Sequence, residues 1–279
     1  MKEIEITNES KWYEIDFVGI FEYRDLLWLL VKRDFIAFYK QTILGPLWYI
    51  IQPIFTSLTM TVIFSNIANI STDGINPFLF YLSASTLWSF FSEALNKTSN
   101  TFLNNSGLFG KVFFPRMIVP ISTVLITYLK LFLQVALLGV FYIALDGYSH
   151  LSLNSIFHLL ILIPLVFLQV GLFALGFGIF LSSYTTKYRD LVFALSFGIS
   201  LMMYASPVIY PVSMVPTKYL DIYMLNPISS SIEIFRYSLF GVLTIEWYHW
   251  GIGWIVTIVF LFLGMISFHK VEKNFMDTI

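Results

Sequence analysis

The sequence contains no cysteine and few charged residues, and both deficits restrict what the chain can be. Without cysteine, disulfides and cysteinyl metal sites are excluded. Charged residues make up 12% of the chain and hydrophobic residues 57%, whereas soluble globular domains carry about 25% charged residues. Together with a mean hydropathy of +0.77, this composition excludes a soluble globular domain and predicts an all-α membrane protein.

The motifs of nucleotide hydrolysis and of common membrane enzymes are also missing. No GxxxxGK[ST] run occurs, because the segment from Gly107 to Val112 has the wrong glycine spacing and lacks the hydroxyl after Lys111. HExxH and GxSxG runs are absent too. The histidines are scattered, at positions 150, 158, 249 and 269. We therefore expect no catalytic residue, no metal site and no ATP hydrolysis by this chain.

Six apolar stretches each come near the ~20 residues that cross a bilayer core. They cover 47–68, 77–95, 117–144, 155–182, 190–206 and 249–268. The basic residues lie almost entirely before the first stretch, between the second and third, after the fourth and after the sixth, whereas the opposite gaps contain only Lys218 and Arg236. Because basic residues favour the cytoplasmic side, we predict a cytoplasmic segment over 1–45, a six-span domain over 46–279 and both termini in the cytoplasm.

A helix is predicted over 22–40, just before the first span. Its apolar stripe consists of Trp28, Val31, Phe35 and Phe38, which recur at helical spacing. Charged residues cover much of the remaining surface, which suits a helix that lies in the headgroup zone. An ordinary polar lead-in is the alternative. The basic members of this helix are Arg24, Lys32, Arg33 and Lys40.

The loop from Asn96 to Arg116, between the second and third spans, is rich in Asn, Ser and Thr but includes four large apolar residues. These are Phe102, Leu103, Leu108 and Phe109. A short helix fits this segment. Because a solvated loop does not need such side chains, they indicate a docking surface for another protein, with an ordinary loop as the alternative.

The segment 207–247 is external in this topology and too apolar for a free loop. Asn226 and Pro227 predict a helix start with proline at the first helical position, and Gly241 predicts its end. Some 14 residues span about 21 Å, less than the ~30 Å hydrocarbon core. We expect this helix to dip into the membrane and border an external vestibule; a pair of interfacial helices that caps the bundle is the alternative.

Two spans carry polar stripes on otherwise apolar helices. Such stripes face neighbouring helices or a hydrated path rather than lipid. The first span carries Gln52, Thr56, Thr59 and Asn66 on one helical face, and the third carries Thr123, Thr127, Lys130 and Gln134.

Lys130 is the most informative of these residues, because an ammonium in the membrane interior costs about 2.5 to 3.5 kcal/mol on insertion scales. Counted from the start of its span, Lys130 lies in the outer half, whereas Glu93 lies near the inner end of the second span. No direct pair between them is expected. Lys130 then faces a solvated or anionic path, or it snorkels to the external interface.

Small residues four positions apart occur in the fourth and fifth spans and allow close packing between helices. In the fourth span they are Ala174, Gly178 and Ser182, and in the fifth span they are Ala194 and Gly198.

Three motifs resemble those of type-2 ABC permeases for polysaccharide export. The run from Lys32-Arg33-Asp34 through Tyr39-Lys40 to Gly45-Pro46-Leu47-Trp48 and Gln52-Pro53 resembles the family's lead into the first span. Residues 110–116 resemble its loop into the third span, and 206–211 with Asn226-Pro227 resemble its external segment. The similarity covers nearly the whole chain in order; Phe38 departs from it, since many relatives are expected to have a basic residue there.

The resemblance implies a permease in the bacterial inner membrane that forms a homodimer. It implies two copies of a separate ATPase subunit, which binds ATP and Mg, and a lipid-linked glycan substrate such as O-antigen, capsule or teichoic acid. Membrane lipid is the other partner, and no nucleic acid is expected. A stand-alone secondary transporter or channel stays open as an alternative class.

The resemblance also implies roles for the segments described above. Residues 22–40 would be an interface helix whose Arg24, Lys32, Arg33 and Lys40 attract a pyrophosphate headgroup, and residues 98–111 would be a coupling helix that docks on the ATPase. The coupling residues are Phe102, Leu103, Asn104, Leu108, Phe109 and Lys111. The external gate residues are Pro207, Tyr210, Pro211, Asn226, Pro227 and Arg236. The transport path residues are Gln52, Thr56, Thr59, Asn66, Lys130 and Gln134.

Overall fold

A computed structural model describes residues 17–40, 45–112, 114–145, 153–188 and 190–274. The regular elements within these ranges are all helices, with no strand among the described residues, so the predicted all-α class is confirmed. In chain order the helices are α1 (Phe17–Glu22), α2 (Arg24–Lys40), α3 (Trp48–Met60), α4 (Pro77–Ser99), α5 (Thr101–Phe109), α6 (Ile118–Leu145), α7 (Leu153–Thr185), α8 (Leu191–Tyr204), α9 (Thr217–Met224), α10 (Pro227–Phe240) and α11 (Trp247–Asn274).

Four of the six predicted spans are confirmed as helices long and apolar enough to cross a membrane. They are Trp48–Ile67, Ile118–Leu145, Leu159–Thr185 and Trp247–Glu272. The first of them consists of α3 and a π-helical continuation, Thr61–Ile67. The other two predicted spans are also helical, but α4 is more polar, and α8 has only 14 residues, which correspond to about 21 Å.

The polarity of α4 is explained by its central position. This helix lies against α3, α6, α7 and α10, and most of its residues are buried within the chain. Its Ser and Thr hydroxyls therefore meet protein rather than lipid. Thr86 donates to the carbonyl of Leu82 at 2.8 Å, and Ser85 shares a hydrogen bond with Ser57 of α3 at 3.3 Å. A helix enclosed in this way does not need an apolar surface.

Small residues allow α7 to approach its neighbours closely. Thr98 of α4 donates to the carbonyl of Ala174 at 3.2 Å, and a Cβ at Gly178 would overlap the Thr98 side chain. The predicted packing role of the fourth-span residues is therefore confirmed. On the other side of α7, Gly176 faces Gly264 of α11 with no room for a Cβ on either.

The fifth-span pair behaves differently. Ala194 is exposed, and a Cβ at Gly198 would meet no described atom within 4 Å. The prediction of close packing at these two residues is wrong for contacts within this chain, because α8 lies at the edge of the bundle and presents this face outward.

Candidate transport and coupling surfaces

Helix α2 lies against α6 and confirms the helix predicted over 22–40, with a break at Tyr23. Its four predicted cations are exposed, and Arg33 forms an exposed ion pair with Asp34 at 2.7 Å. Those cations are Arg24, Lys32, Arg33 and Lys40. An exposed cationic surface of this kind can meet anionic headgroups.

The apolar stripe predicted for this helix is only partly correct. Val31 is buried together with its neighbour Leu30, but Trp28 is 64% exposed and Phe35 is 40% exposed; the side chain of Phe38 lies outside the described part of the chain. The buried face differs from the predicted one, because α2 packs on α6 and Leu30 joins the cluster that contains Phe102 and Phe109 of α5. Exposed aromatic and basic side chains on one helix are typical of an interfacial helix.

The short helix predicted between the second and third spans is confirmed as α5. Its two phenylalanines do not lie at the surface: Phe102 is fully buried, Phe109 is 4% exposed, and the Phe102 ring stacks on Phe268 of α11 with centroids 4.5 Å apart. The prediction that all four apolar residues form a docking surface is therefore wrong for these two, because they complete an internal aromatic cluster.

The surface of this segment consists of smaller and more polar groups. Leu103 and Leu108 are half-buried, and Asn104 and Lys111 are exposed. The following turn is fixed to the end of α11, since the Arg116 guanidinium donates to the carbonyl of Glu272 at 2.5 Å and its backbone N–H donates to the Glu272 carboxylate at 3.2 Å.

Lys130 forms an ion pair with Glu93, which was not expected from the sequence. Lys97 pairs with the same carboxylate oxygen at 2.7 Å, and the Lys130 ammonium lies 4.5 Å from the ring centre of Tyr49. Tyr49 is the second residue of α3, so Lys130 lies level with the start of the first span. The predicted depth was wrong because α6 begins well before that level.

The remaining polar residues of the third span face other helices. Gln134 is buried and accepts a hydrogen bond from Ser89 of α4 at 3.1 Å, and Thr127 is buried and donates to its own helix. The structure therefore favours helix contact over a hydrated path for these two residues.

The polar stripe of the first span faces outward from the chain. Gln52, Thr59 and Asn66 are exposed and Thr56 is half-buried. Thr56 and Thr59 border a groove of about 410 Å³ that lies between α3, its π-helical continuation and the end of α8. The remaining lining residues are Phe55, Met60, Ile63, Phe64, Met203, Tyr204 and Ile209.

The external segment contains the predicted helix with its predicted ends. The Asn226 side chain accepts from the backbone N–H of Ile228 at 3.1 Å, Pro227 occupies the first turn, and Gly241 ends the helix with a φ of 73°. Asn226 also donates to Ser206 at 2.9 Å. This bond attaches the helix start to the turn that contains Pro207, Tyr210 and Pro211.

Arg236 is buried, whereas the charge pattern alone implies an exposed cation on the external side. Its side chain is 2% exposed, pairs with Glu233 at 2.9 Å and lies 3.5 Å from the centre of the Phe80 ring. Glu233 also accepts from Thr244. The cation points from α10 into α4, so Arg236 lies inside the bundle on the helix that the sequence predicts to dip into the membrane. Its role in an external gate stays a prediction.

A family profile described as ABC-2 type transporter matches residues 25–240, which is most of the chain. The chain belongs to this family. Two similar proteins from Klebsiella pneumoniae, both named O-antigen export system permease protein RfbA, are 27% and 28% identical to it, each over 91% of this chain and 94% of the relative. A protein of the same name from Myxococcus xanthus is 28% identical over 70% of this chain and 71% of its own length.

As an ABC-2 type transporter, the chain is a multi-pass membrane transport component. The matched region includes α5 and α10 in full, and all of α2 except its first residue, Arg24. No group of three or more His, Asp or Glu side chains that could hold a metal occurs among the residues the structure describes.

One residue that organises this ABC-2 chain was missed at the sequence level. Gln169 of α7 is fully buried and accepts from Ser231 of α10 at 3.0 Å and from the indole of Trp250 in α11 at 2.5 Å. A lone amide inside an apolar span was the available signal, since a polar side chain at that depth requires a partner.

A second missed group lies at the external end of the chain. Asp221 of α9 accepts from Tyr248 at 2.9 Å and from the His249 imidazole at 3.0 Å. These hydrogen bonds hold the pKa of the Asp221 carboxyl below its usual range. The contacts attach the exposed helix α9 to the start of α11.

Proposed function

We propose that the chain is the membrane-spanning permease subunit of an ATP-driven exporter that moves lipid-linked O-antigen across the bacterial inner membrane. Two copies of the chain would assemble with two copies of a separate ATPase subunit, which binds ATP and Mg. The observation that carries the proposal is similarity over nine tenths of the chain to permeases named for O-antigen export.

The arrangement around α5 supports a coupling role for this helix. Asn104 and Lys111 offer exposed polar contacts to an ATPase, while Phe102 and Phe109 anchor the helix to the bundle. The Phe102 cluster joins α5 to both α2 and α11. A movement of the ATPase pair on α5 would therefore displace several packed elements together, as in rigid-body switching.

The outward polar face of the first span supports a path between two copies. Exposed Gln52, Thr59 and Asn66 would be poorly suited to lipid, and α8 adds exposed Ser196 and Ser200 beside large aromatic side chains. Hydroxyl and amide groups can hydrogen-bond sugar hydroxyls, and aromatic faces can stack on the C–H faces of sugar rings. The groove between α3 and α8 would then line the path in the dimer.

The remaining topology follows the charge pattern. In this proposal α4 and α8 complete six spans, both termini lie in the cytoplasm, and α9 and α10 lie at the external exit. The cations of α2 would attract the pyrophosphate of the substrate at the inner leaflet.

Reconstitution in vesicles tests the function. The full chain is incorporated into inside-out vesicles with and without a candidate ATPase subunit, and protection of a lipid-linked O-antigen from an external glycosidase is followed. We expect ATP-dependent translocation only when both subunits are present. Translocation by the chain alone would contradict the proposal and favour a secondary transporter or channel.

Labelling tests the path. Because the natural chain has no cysteine, Thr59→Cys creates a unique thiol, and Val140→Cys on an exposed apolar face of α6 is the matched control. We expect a water-soluble maleimide to react faster with the Thr59 variant during transport. Equal reactivity of both variants would contradict a hydrated path along α3.

A further inference from the structure

The last two turns of α11 contact α5 at its start and just after its end. Phe268 and Glu272 are four residues apart and therefore lie on one face of α11. Phe268 stacks on Phe102 at the start of α5, with ring centroids 4.5 Å apart. Glu272 contacts Arg116 in the turn that follows α5. A movement of α5 would therefore act on α11 at two points.

The contact between Arg116 and Glu272, which we call the clamp, is reciprocal. The guanidinium of Arg116 donates to the backbone carbonyl of Glu272 at 2.5 Å, and the Glu272 carboxylate accepts from the backbone N–H of Arg116 at 3.2 Å. Carbonyls in the last turn of a helix have no partner within the helix, so the guanidinium satisfies one of those of α11. Two hydrogen bonds of opposite direction fix both the distance and the relative orientation of the two segments.

Arg116 also contacts the two helices that precede and follow its turn. Its guanidinium lies 5.7 Å from the ring centre of Phe109, the last residue of α5. Its backbone carbonyl accepts from the N–H of Val119 at 3.2 Å, in the first turn of α6. The clamp therefore joins the end of α5, the start of α6 and the end of α11 at one residue.

Helix α11 connects this point to the external end of the chain. It has 28 residues and is about 42 Å long. Near its other end, the imidazole of His249 lies 3.0 Å from the carboxylate of Asp221 in α9. Between the two ends α11 approaches α7 closely, since a Cβ at Gly264 would overlap the carbonyl of Gly176. A rigid helix that tilts about one close contact moves at both of its ends.

We infer that Arg116 and Glu272 are positioning residues, which transmit the movement of α5 to α11 and through α11 to the external helix α9. The inference rests on the proposed function, since an ATPase bound at α5 supplies the movement. In the alternative, α5 moves independently of α11, and the clamp only stabilises the fold.

Reconstituted vesicles that contain the full chain and a candidate ATPase subunit measure the coupling as glycan transported per ATP hydrolysed. Arg116→Met removes the guanidinium, and Glu272→Met removes the acceptor of the Arg116 N–H. Glu272→Gln keeps an acceptor oxygen, and Lys270→Met is the matched control, because Lys270 is exposed in the same turn of α11. We expect Arg116→Met and Glu272→Met to lower the ratio about fivefold, the lower end of typical coupling between sites. Glu272→Gln and Lys270→Met should keep most of it.

A distance measurement separates coupling from stability. Because the natural chain has no cysteine, Ser106→Cys on α5 and Lys270→Cys on α11 introduce two exposed sites for spin labels, whose separation is measured by electron paramagnetic resonance. In the full chain without the ATPase, we expect one narrow distance that broadens in Glu272→Met but not in Glu272→Gln. In the complex with the ATPase, ATP should leave the distance unchanged when the clamp is intact, because α5 and α11 then move as one body.

An ATP-dependent change of this distance with the clamp intact would overturn the inference, and this measurement does not require any clamp variant to fold. Unchanged transport per ATP hydrolysed in a folded Arg116→Met or Glu272→Met chain, with only a lower melting temperature, would overturn it as well. Failure of the natural complex to translocate the glycan would instead refute the proposed function. The distance in the chain without the ATPase would still test whether the clamp holds α5 on α11.

Discussion

The buried pair between Glu233 and Arg236 makes a quantitative prediction about α10. Both side chains are at most 5% exposed, and their closest atoms are 2.9 Å apart. Replacing one partner of a buried pair leaves the other uncompensated and typically costs about 3 to 5 kcal/mol. We therefore expect Arg236→Met to lower the free energy of unfolding by that amount.

The double variant Glu233→Met/Arg236→Met should recover much of the loss. Replacing both charges by apolar side chains of similar volume is often close to neutral. Here the contact of the guanidinium with Phe80 at 3.5 Å is also lost, and a desolvated cation–π contact contributes up to about 2 kcal/mol. The double variant should thus remain about 1 to 2 kcal/mol less stable than the natural chain, but more stable than Arg236→Met.

Equilibrium unfolding in mixed micelles, followed by tryptophan fluorescence, measures these differences. Lys218→Met is the matched control, because Lys218 is an exposed cation of the same external segment, and exposed substitutions usually change stability by less than about 0.5 kcal/mol. The reasoning is refuted if Arg236→Met costs less than about 1 kcal/mol, or if the double variant is less stable than the single one.

Three further predictions concern packing and the external contacts. Phe268→Ala should lower the free energy of unfolding by about 3 to 5 kcal/mol. It should also reduce the amount of glycan transported per ATP hydrolysed, although the ATPase still copurifies with the variant. An unchanged ratio of transport to ATP hydrolysis would contradict the role of the aromatic cluster. Gly178→Val should prevent α4 from packing on α7 and reduce the yield of folded protein, whereas Gly198→Val, with open space around it, should not. Because the pKa of Asp221 is lowered in the folded chain, its contribution to stability is full above the ordinary pKa of about 3.9 and is lost as the pH falls through the lowered value. Hydrogen exchange of the α9 backbone amides, corrected for intrinsic rates, should therefore accelerate as the pH falls through the lowered pKa of Asp221. Asp221→Asn should remove this pH dependence.

Features determined by neighbouring residues could be predicted from the sequence. Asn226 and Pro227 start α10, and Gly241 ends it, because side-chain capping, a proline in the first turn and a left-handed terminal residue act within a few positions. The long spans were predicted for the same reason, since a run of ~20 apolar residues is sufficient to specify a membrane helix.

Features that depend on distant partners could not be predicted in this way. Apolar residues in a loop can meet either another protein or the chain's own core. For Phe102 the choice depends on Phe268, 166 positions away in sequence. The level of Lys130 depends on how far α6 extends before the membrane, which hydropathy does not reveal. Gln169 has partners on two other helices, so its role required the packed structure.

The direct succession of α4 and α5 has a consequence for how the two faces of the membrane communicate. Only Asn100 separates the end of α4 from the start of α5, and the Arg236 guanidinium meets Phe80 near the beginning of α4. Because α4 is one helix of 23 residues, about 35 Å long, a tilt at one of its ends also moves the other end. In the proposed exporter, a movement that the ATPase imposes on α5 would therefore reach α10 through α4, without a relay through a loop.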